Sequence, residues 1–168
     1  LPTELKMKKL TLIVFTLLIG FSQFISAQNL AERRAIKSYQ ESALPDLQDE
    51  INNAAGFEVV LNIDWDKIAL PGGADNYESD AYFTNIYFKP LIKAFLSISS
   101  DELGKEALVA KLRSVKITYD SDTAPAANYG NGIAFEGDQL TLNFRPFSNA
   151  GDIDERAEAM IKELESKL

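Results

Sequence analysis

Ile133-Ala134-Phe135-Glu136-Gly137-Asp138-Gln139-Leu140-Thr141-Leu142-Asn143-Phe144 is a pair of short alternating runs hinged on Gly-Asp. Glycine in a two-residue turn supplies the positive φ that a tight hairpin needs. A loop of that length pairs Phe135 with Leu140 and Ile133 with Leu142, which places all four side chains on one face, with Phe144 continuing it. Turn chemistry and hydrophobic pattern thus demand the same register, and a slip of one residue would turn the whole face to water. The stretch reads as a β-hairpin whose apolar side the rest of the chain must cover.

Working outward, two further runs show period two. Val115, Ile117 and Tyr119 alternate with Lys116 and Thr118, and Phe57, Val59, Leu61, Ile63 and Trp65 alternate with Glu58, Val60, Asn62 and Asp64. Both read as strands with one apolar face. The remaining apolar residues follow helical spacing. Over Asn29–Ala55 the stripe is Ile36, Tyr39, Ala43, Leu47, Ile51 and Ala54, and Gly56 stands where a left-handed residue ends a helix. Pro45 interrupts that stripe, which predicts a kinked helix or two abutting helices with Pro45 in the first turn of the second. Ala81–Ile98 is apolar nearly all round and reads as a central buried helix kinked at Pro90. Ser99 and Glu102 match a capping box ahead of a helix over Asp101–Arg113, and Asp152 and Glu155 match one ahead of a closing helix over Asp152–Leu168. In that last helix Glu158/Lys162 and Glu163/Lys167 have the favourable i, i+4 order. The order α-β-α-α-β-β-β-α predicts an α+β fold, with a single mixed, mostly antiparallel four-stranded sheet covered by helices.

The N-terminal residues carry an address. Met7-Lys8-Lys9, the uncharged run Leu10–Phe24 and the small residues Ser26 and Ala27 follow the plan of a secretory signal peptide. Residues 7–27 are therefore expected to be cleaved after Ala27, and residues 1–6, with the acid Glu4, fit an over-extended start. Residues 28–168 are expected to form a single exported globular domain, periplasmic or extracellular, with no membrane association after cleavage. Three of the seventeen basic residues and one of the twenty-five acidic ones lie before Gln28, so cleavage takes the formal charge from −8 to about −10. A surface of that sign disfavours nucleic acid as a partner.

Composition narrows the chemistry. The chain has no histidine and no cysteine. That excludes Ser-His-Asp and Cys-His catalysis, the usual zinc donor sets, and disulfide stapling. Carboxylates, hydroxyls and lysine remain. Asn62, Asp64 and Asp66 offer oxygens at i, i+2, i+4, but a calcium loop of the EF-hand kind needs glycine sixth and glutamate twelfth, where Lys67 and Gly73 stand. No metal is expected, and the absence of any nucleotide fingerprint leads to no cofactor being expected.

Aromatic residues are the stronger lead. Trp65, Tyr77, Tyr82 and Tyr87 fall in or beside the loop after the first strand, and Tyr129 lies in the long loop Asp120–Asn131. Such side chains mark recognition surfaces. The candidate binding surface is Trp65, Asp66, Asp75, Tyr77, Glu78 and Tyr129; most of these aromatics are expected as core or loop anchors, with Tyr77 and Tyr129 having the best claim to exposure. The function expected is a non-catalytic binding or accessory domain for a small-molecule, glycan or protein partner. The alternative is a small carboxylate-dependent hydrolase of glycan or cell-wall material, drawing on Asp64, Asp66, Asp75, Glu78 or Asp80. A joint site of the loops Pro71–Ser79 and Asp120–Asn131 requires their preceding strands to run parallel, with the helices between Ala81 and Arg113 as the crossover.

Overall fold

The computed structural model of the chain describes residues 28–168. The start expected over residues 1–6 and the leader expected over residues 7–27 lie outside the described residues. Helices α1 (Leu30–Ser42) and α2 (Leu44–Ala55) abut at Ala43, with Pro45 in the first turn of α2, where its missing N–H leaves no bond unmade. Asn29 and Glu32 close a capping box on α1, and Gly56, at φ +83°, ends α2.

Strand β1 spans Val60–Ile63 only. The alternation stops because Trp65–Ile68 turns into a short helix, α3. After a 3-10 turn at Ala74–Asn76, the buried helix opens with a π turn, Thr84–Phe88, and continues as α4 (Lys89–Ile98). The Lys89 N–H reaches back to the Thr84 carbonyl. Pro90 has no N–H to give, and its ring crowds the preceding turn. The wider π turn makes that room, so a π bulge stands where a kink was expected. Helix α5 (Glu102–Lys111) is capped by Asp101, whose side chain accepts from the Gly104 N–H. Ser99 is not the cap; its hydroxyl donates to the Ala54 carbonyl at 2.7 Å and ties α2 to this corner.

Strands β2 (Ser114–Thr118), β3 (Ile133–Glu136) and β4 (Gln139–Asn143) complete the sheet, and α6 (Ile153–Lys167) closes the fold. The β3–β4 hairpin has the expected register, Phe135 opposite Leu140 and Ile133 opposite Leu142. Gly137 has φ +62° and Asp138 is not among the positive-φ residues, the pattern of a II′ turn. The architecture is α+β, and the expected order of elements holds. The sheet is mixed, but it is not mostly antiparallel. Its order is β1-β2-β4-β3, with β1 parallel to β2 and β2 parallel to β4. The long connection from Asp120 to Asn131 carries the chain past the centre, so the hairpin starts at the far edge. The returning strand β4 then lands beside β2 in the same direction.

One face of the sheet sends Val115, Ile117, Leu140, Leu142 and Phe135 into the core, where α4 packs on α2 and α6. The other face lines up Asn62, Lys116 and Thr141 across the register, none of them buried. At the β1 edge, α2 imitates a neighbouring strand for one residue: Val59 donates to Asn52 Oδ1 at 2.9 Å, and its carbonyl accepts from Gln48 Nε2 at 3.0 Å. Among the described residues, no helix is long and apolar enough to cross a membrane.

Candidate functional site

Because β1, β2 and β4 are mutually parallel, the loops leaving their C-terminal ends share one edge of the sheet. Ligand sites of open α/β sheets favour that edge, because loops there diverge around a gap while rigid strands hold their bases. Three segments meet here: Leu70–Ser79, Asp120–Asn131, and Arg145–Gly151 after β4. The third joins the other two. Phe147 donates its N–H to the Tyr82 carbonyl at 3.2 Å and stacks its ring on Tyr82 at 5.4 Å, beside the first loop. Asn149 Nδ2 donates to the Ala126 carbonyl at 3.2 Å, within the second.

The two tyrosines with the best claim to the surface are buried. Tyr77 is packed edge-on to Tyr82 at 4.8 Å, and its hydroxyl donates to the Leu70 carbonyl at 2.6 Å. Tyr129 packs edge-on to Phe144, and its hydroxyl donates to Asp152 Oδ2 at 2.6 Å. Each anchors a loop from below, so the direct Tyr77/Tyr129 contact surface is not formed. Burial raises the pKa of both, and in Tyr129 the bond to Asp152 adds to the rise. Trp65 is partly buried against Tyr39 and Phe83. Asp66, Asp75 and Glu78 are exposed.

The acids of the hydrolytic alternative are dispersed over exposed or half-exposed positions. Asp80 pairs with Lys89 at 2.9 Å and Asp64 reaches Lys116 at 3.9 Å. A general acid needs an environment that disfavours its charge, which exposed carboxylates lack. The oxygens of Asn62, Asp64 and Asp66 do not continue along one strand face, because the chain turns into α3 at Trp65. Among the described residues, no three acidic side chains converge as a metal site.

A cleft of about 430 Å³ opens at this edge between Leu70–Gly73 and Arg145–Ser148, with Asn76 and Tyr82 in its lining. Its two walls are held from behind. Glu32, buried in α1, accepts from the Gly72 N–H at 2.7 Å and from the Asn29 N–H at 2.8 Å, fixing the first wall. Arg156, buried in α6, donates to the Ser148 carbonyl at 2.7 Å and the Asn149 carbonyl at 2.9 Å, fixing the second. Burial lowers the Arg156 pKa from its ordinary value, while Tyr129 and Asp152 pull it back up. A guanidinium so placed keeps its charge.

Between those supports, Phe147 has φ +56° and Asn149 has φ +49°. Asparagine visits that region readily; phenylalanine does so at a cost of about 1–2 kcal/mol. Phe147 is also 52% exposed. The backbone is therefore held in an unfavourable conformation that presents an aromatic ring to solvent at the rim of a cleft. Sequence reasoning missed Phe147, Arg145, Glu32 and Arg156. The available signal was an aromatic residue inside the turn-rich run Arg145-Pro146-Phe147-Ser148-Asn149-Ala150-Gly151, where a core phenylalanine has no periodic partners.

Compared with known families, curated proteins and solved structures, the chain matches none.

Proposed function

We propose that this chain is an exported binding domain that recognises a small-molecule, glycan or protein partner without chemistry, in the cleft between Leu70–Gly73 and Arg145–Ser148. The observation that carries this reading is Phe147. Strained backbone costs stability and persists where surrounding structure enforces it, and such positions concentrate at ligand sites. The ring stacks on Tyr82 with one face only, and its half-exposed remainder gains nothing for folding. The leader-like residues 7–27 support export. The exposure of Asp66, Asp75, Glu78 and Asp80 favours binding over hydrolysis.

The test is chemical-shift mapping on the isotope-labelled domain with a library of sugars, small organic acids, amines and short peptides. Saturable shifts clustered at the amides of Leu70–Gly73 and Arg145–Ser148 are expected. Saturable shifts confined to another surface, or turnover of a library member, would overturn the reading.

A further inference from the structure

The cleft offers two recognition elements, and together they specify a ligand chemistry. We propose that it takes a ring with a flat apolar face and a single carboxylate, the ring stacking on the outer face of Phe147 and the carboxylate pairing with Arg145. This rests on the cleft being the binding site.

Phe147 has one ring face committed and one free. Its plane lies 17° from that of Tyr82 at a centroid separation of 5.4 Å, and Tyr82 is buried while Phe147 is half exposed. A two-ring stack of this kind ends in a rigid platform, because the inner ring cannot yield and the Phe147 backbone is tied to the Tyr82 carbonyl. Its free face suits another flat apolar surface, either an aromatic ring or the C–H face of a pyranose.

Arg145 lines the same cleft and is exposed. None of the four ion pairs among the described residues includes it. The donors nearby are engaged: Arg156, behind the second wall, is turned to backbone carbonyls, and the Gly72 N–H is held by Glu32. One planar guanidinium matches one planar carboxylate through two parallel N–H···O bonds. A phosphate dianion would leave a charge uncompensated on a domain already at about −10, which disfavours it. A neutral ring would leave Arg145 without a use.

The shared chemistry is a ring carboxylate, and its two sources are a uronic acid and an aromatic acid. Chemical-shift titrations with glucuronate, glucose, benzoate and benzamide separate them. At least one of the two acids should bind about tenfold more tightly than its neutral counterpart, with shifts centred on Arg145–Ser148. Glucuronate alone identifies the sugar source, and benzoate alone the aromatic one. In Arg145→Gln the advantage of the acid over its neutral counterpart should vanish. Unchanged amide positions away from the cleft show that the variant is folded. Equal affinity for acid and neutral forms in the wild-type chain overturns the carboxylate assignment and leaves the cleft reading intact. Absence of saturable shifts at the cleft with all four probes overturns the ring-carboxylate proposal. A library hit at the cleft of some other chemistry would then keep the cleft reading, and shifts mapped only to another surface would remove it too.

Discussion

The Arg156 guanidinium carbon lies 4.3 Å from the centre of the Tyr129 ring, with the Phe144 ring at 5.7 Å. The cation is held between two aromatic faces and three backbone carbonyls, those of Ser148, Asn149 and Asp152. Among the described residues, no carboxylate pairs directly with it. The arrangement turns α6 into a clamp on the segment that carries Phe147. Arg156→Met should destabilise the domain by roughly 1–3 kcal/mol, because the Ser148 carbonyl loses its donor and the carbonyls of Asn149 and Asp152 keep only the backbone N–H groups of Asp152 and Arg156. Arg156→Lys keeps the charge but loses the fork and should cost about half as much. Urea midpoints at unchanged slope measure this. A shift below about 0.5 kcal/mol for Arg156→Met would show that those carbonyls find water instead.

The contrast between Arg156 and the hairpin explains what could be read in advance. The register of β3 and β4 is a local matter: a two-residue turn and a period-two pattern agree, and no distant residue can alter them. The insertion of β4 between β2 and β3 depends on where a long loop delivers the chain, which local periodicity does not encode. The same limit applies to helix caps. Asp152 and Glu155 have the spacing of a capping box, yet Asp152 makes no cap bond with its side chain, because its carboxylate accepts from Tyr129. Glu163 likewise accepts from the Phe135 N–H at 3.1 Å and forms no ion pair with Lys167. Arginine on a helix reads as solvated until a tertiary aromatic pair encloses it. The strain at Phe147 is a property of φ, and no residue type announces it.

Alkaline pH should unfold the domain over a defined range. Burial raises the pKa of Tyr39, Tyr77, Tyr82, Tyr87 and Tyr129 above the ordinary value near 10. Between the unfolded and folded values, the unfolded chain binds fewer protons than the folded one, so stability falls with rising pH. The stabilisation is complete below about pH 9–10 and is lost progressively above it. Tyr87, which donates to the Phe144 carbonyl at 2.6 Å, is the deepest of them. Tyr87→Phe should lower stability at pH 7 through the lost bond and also flatten its decline above pH 10. An alkaline slope identical in the variant and the parent would refute the assignment.

Glu32 links the first helix to the cleft, so its loss should be felt at a distance. Removing its carboxylate in Glu32→Ala leaves the Gly72 and Asn29 N–H groups without their acceptor, at a cost of about 1–2 kcal/mol. The Gly72 amide should exchange hydrogen faster, together with its neighbours in the first wall. Glu32→Gln keeps one oxygen acceptor and should fall between the parent and Glu32→Ala. Protection at Gly72 that survives in Glu32→Ala would mean that the wall is held by its own turn instead.

Phe147 allows strain and contact to be separated. Phe147→Ala and Phe147→Gly both remove the ring and its stacking on Tyr82, so that loss is common to the two. They differ at φ +56°, where alanine retains the steric cost of a Cβ and glycine does not. Glycine gives back part of this gain through the greater entropy of its unfolded chain, about 0.4–1 kcal/mol. Phe147→Gly should therefore exceed Phe147→Ala in stability by roughly 0.5–1 kcal/mol, measured as a higher urea midpoint. At an ordinary extended or helical position the sign is reversed and alanine is the more stable. Alanine more stable than glycine at 147 would thus show that the backbone relaxes to negative φ once the ring is gone, and that Tyr82 and the ring, not the supports at Ser148 and Asn149, hold the conformation.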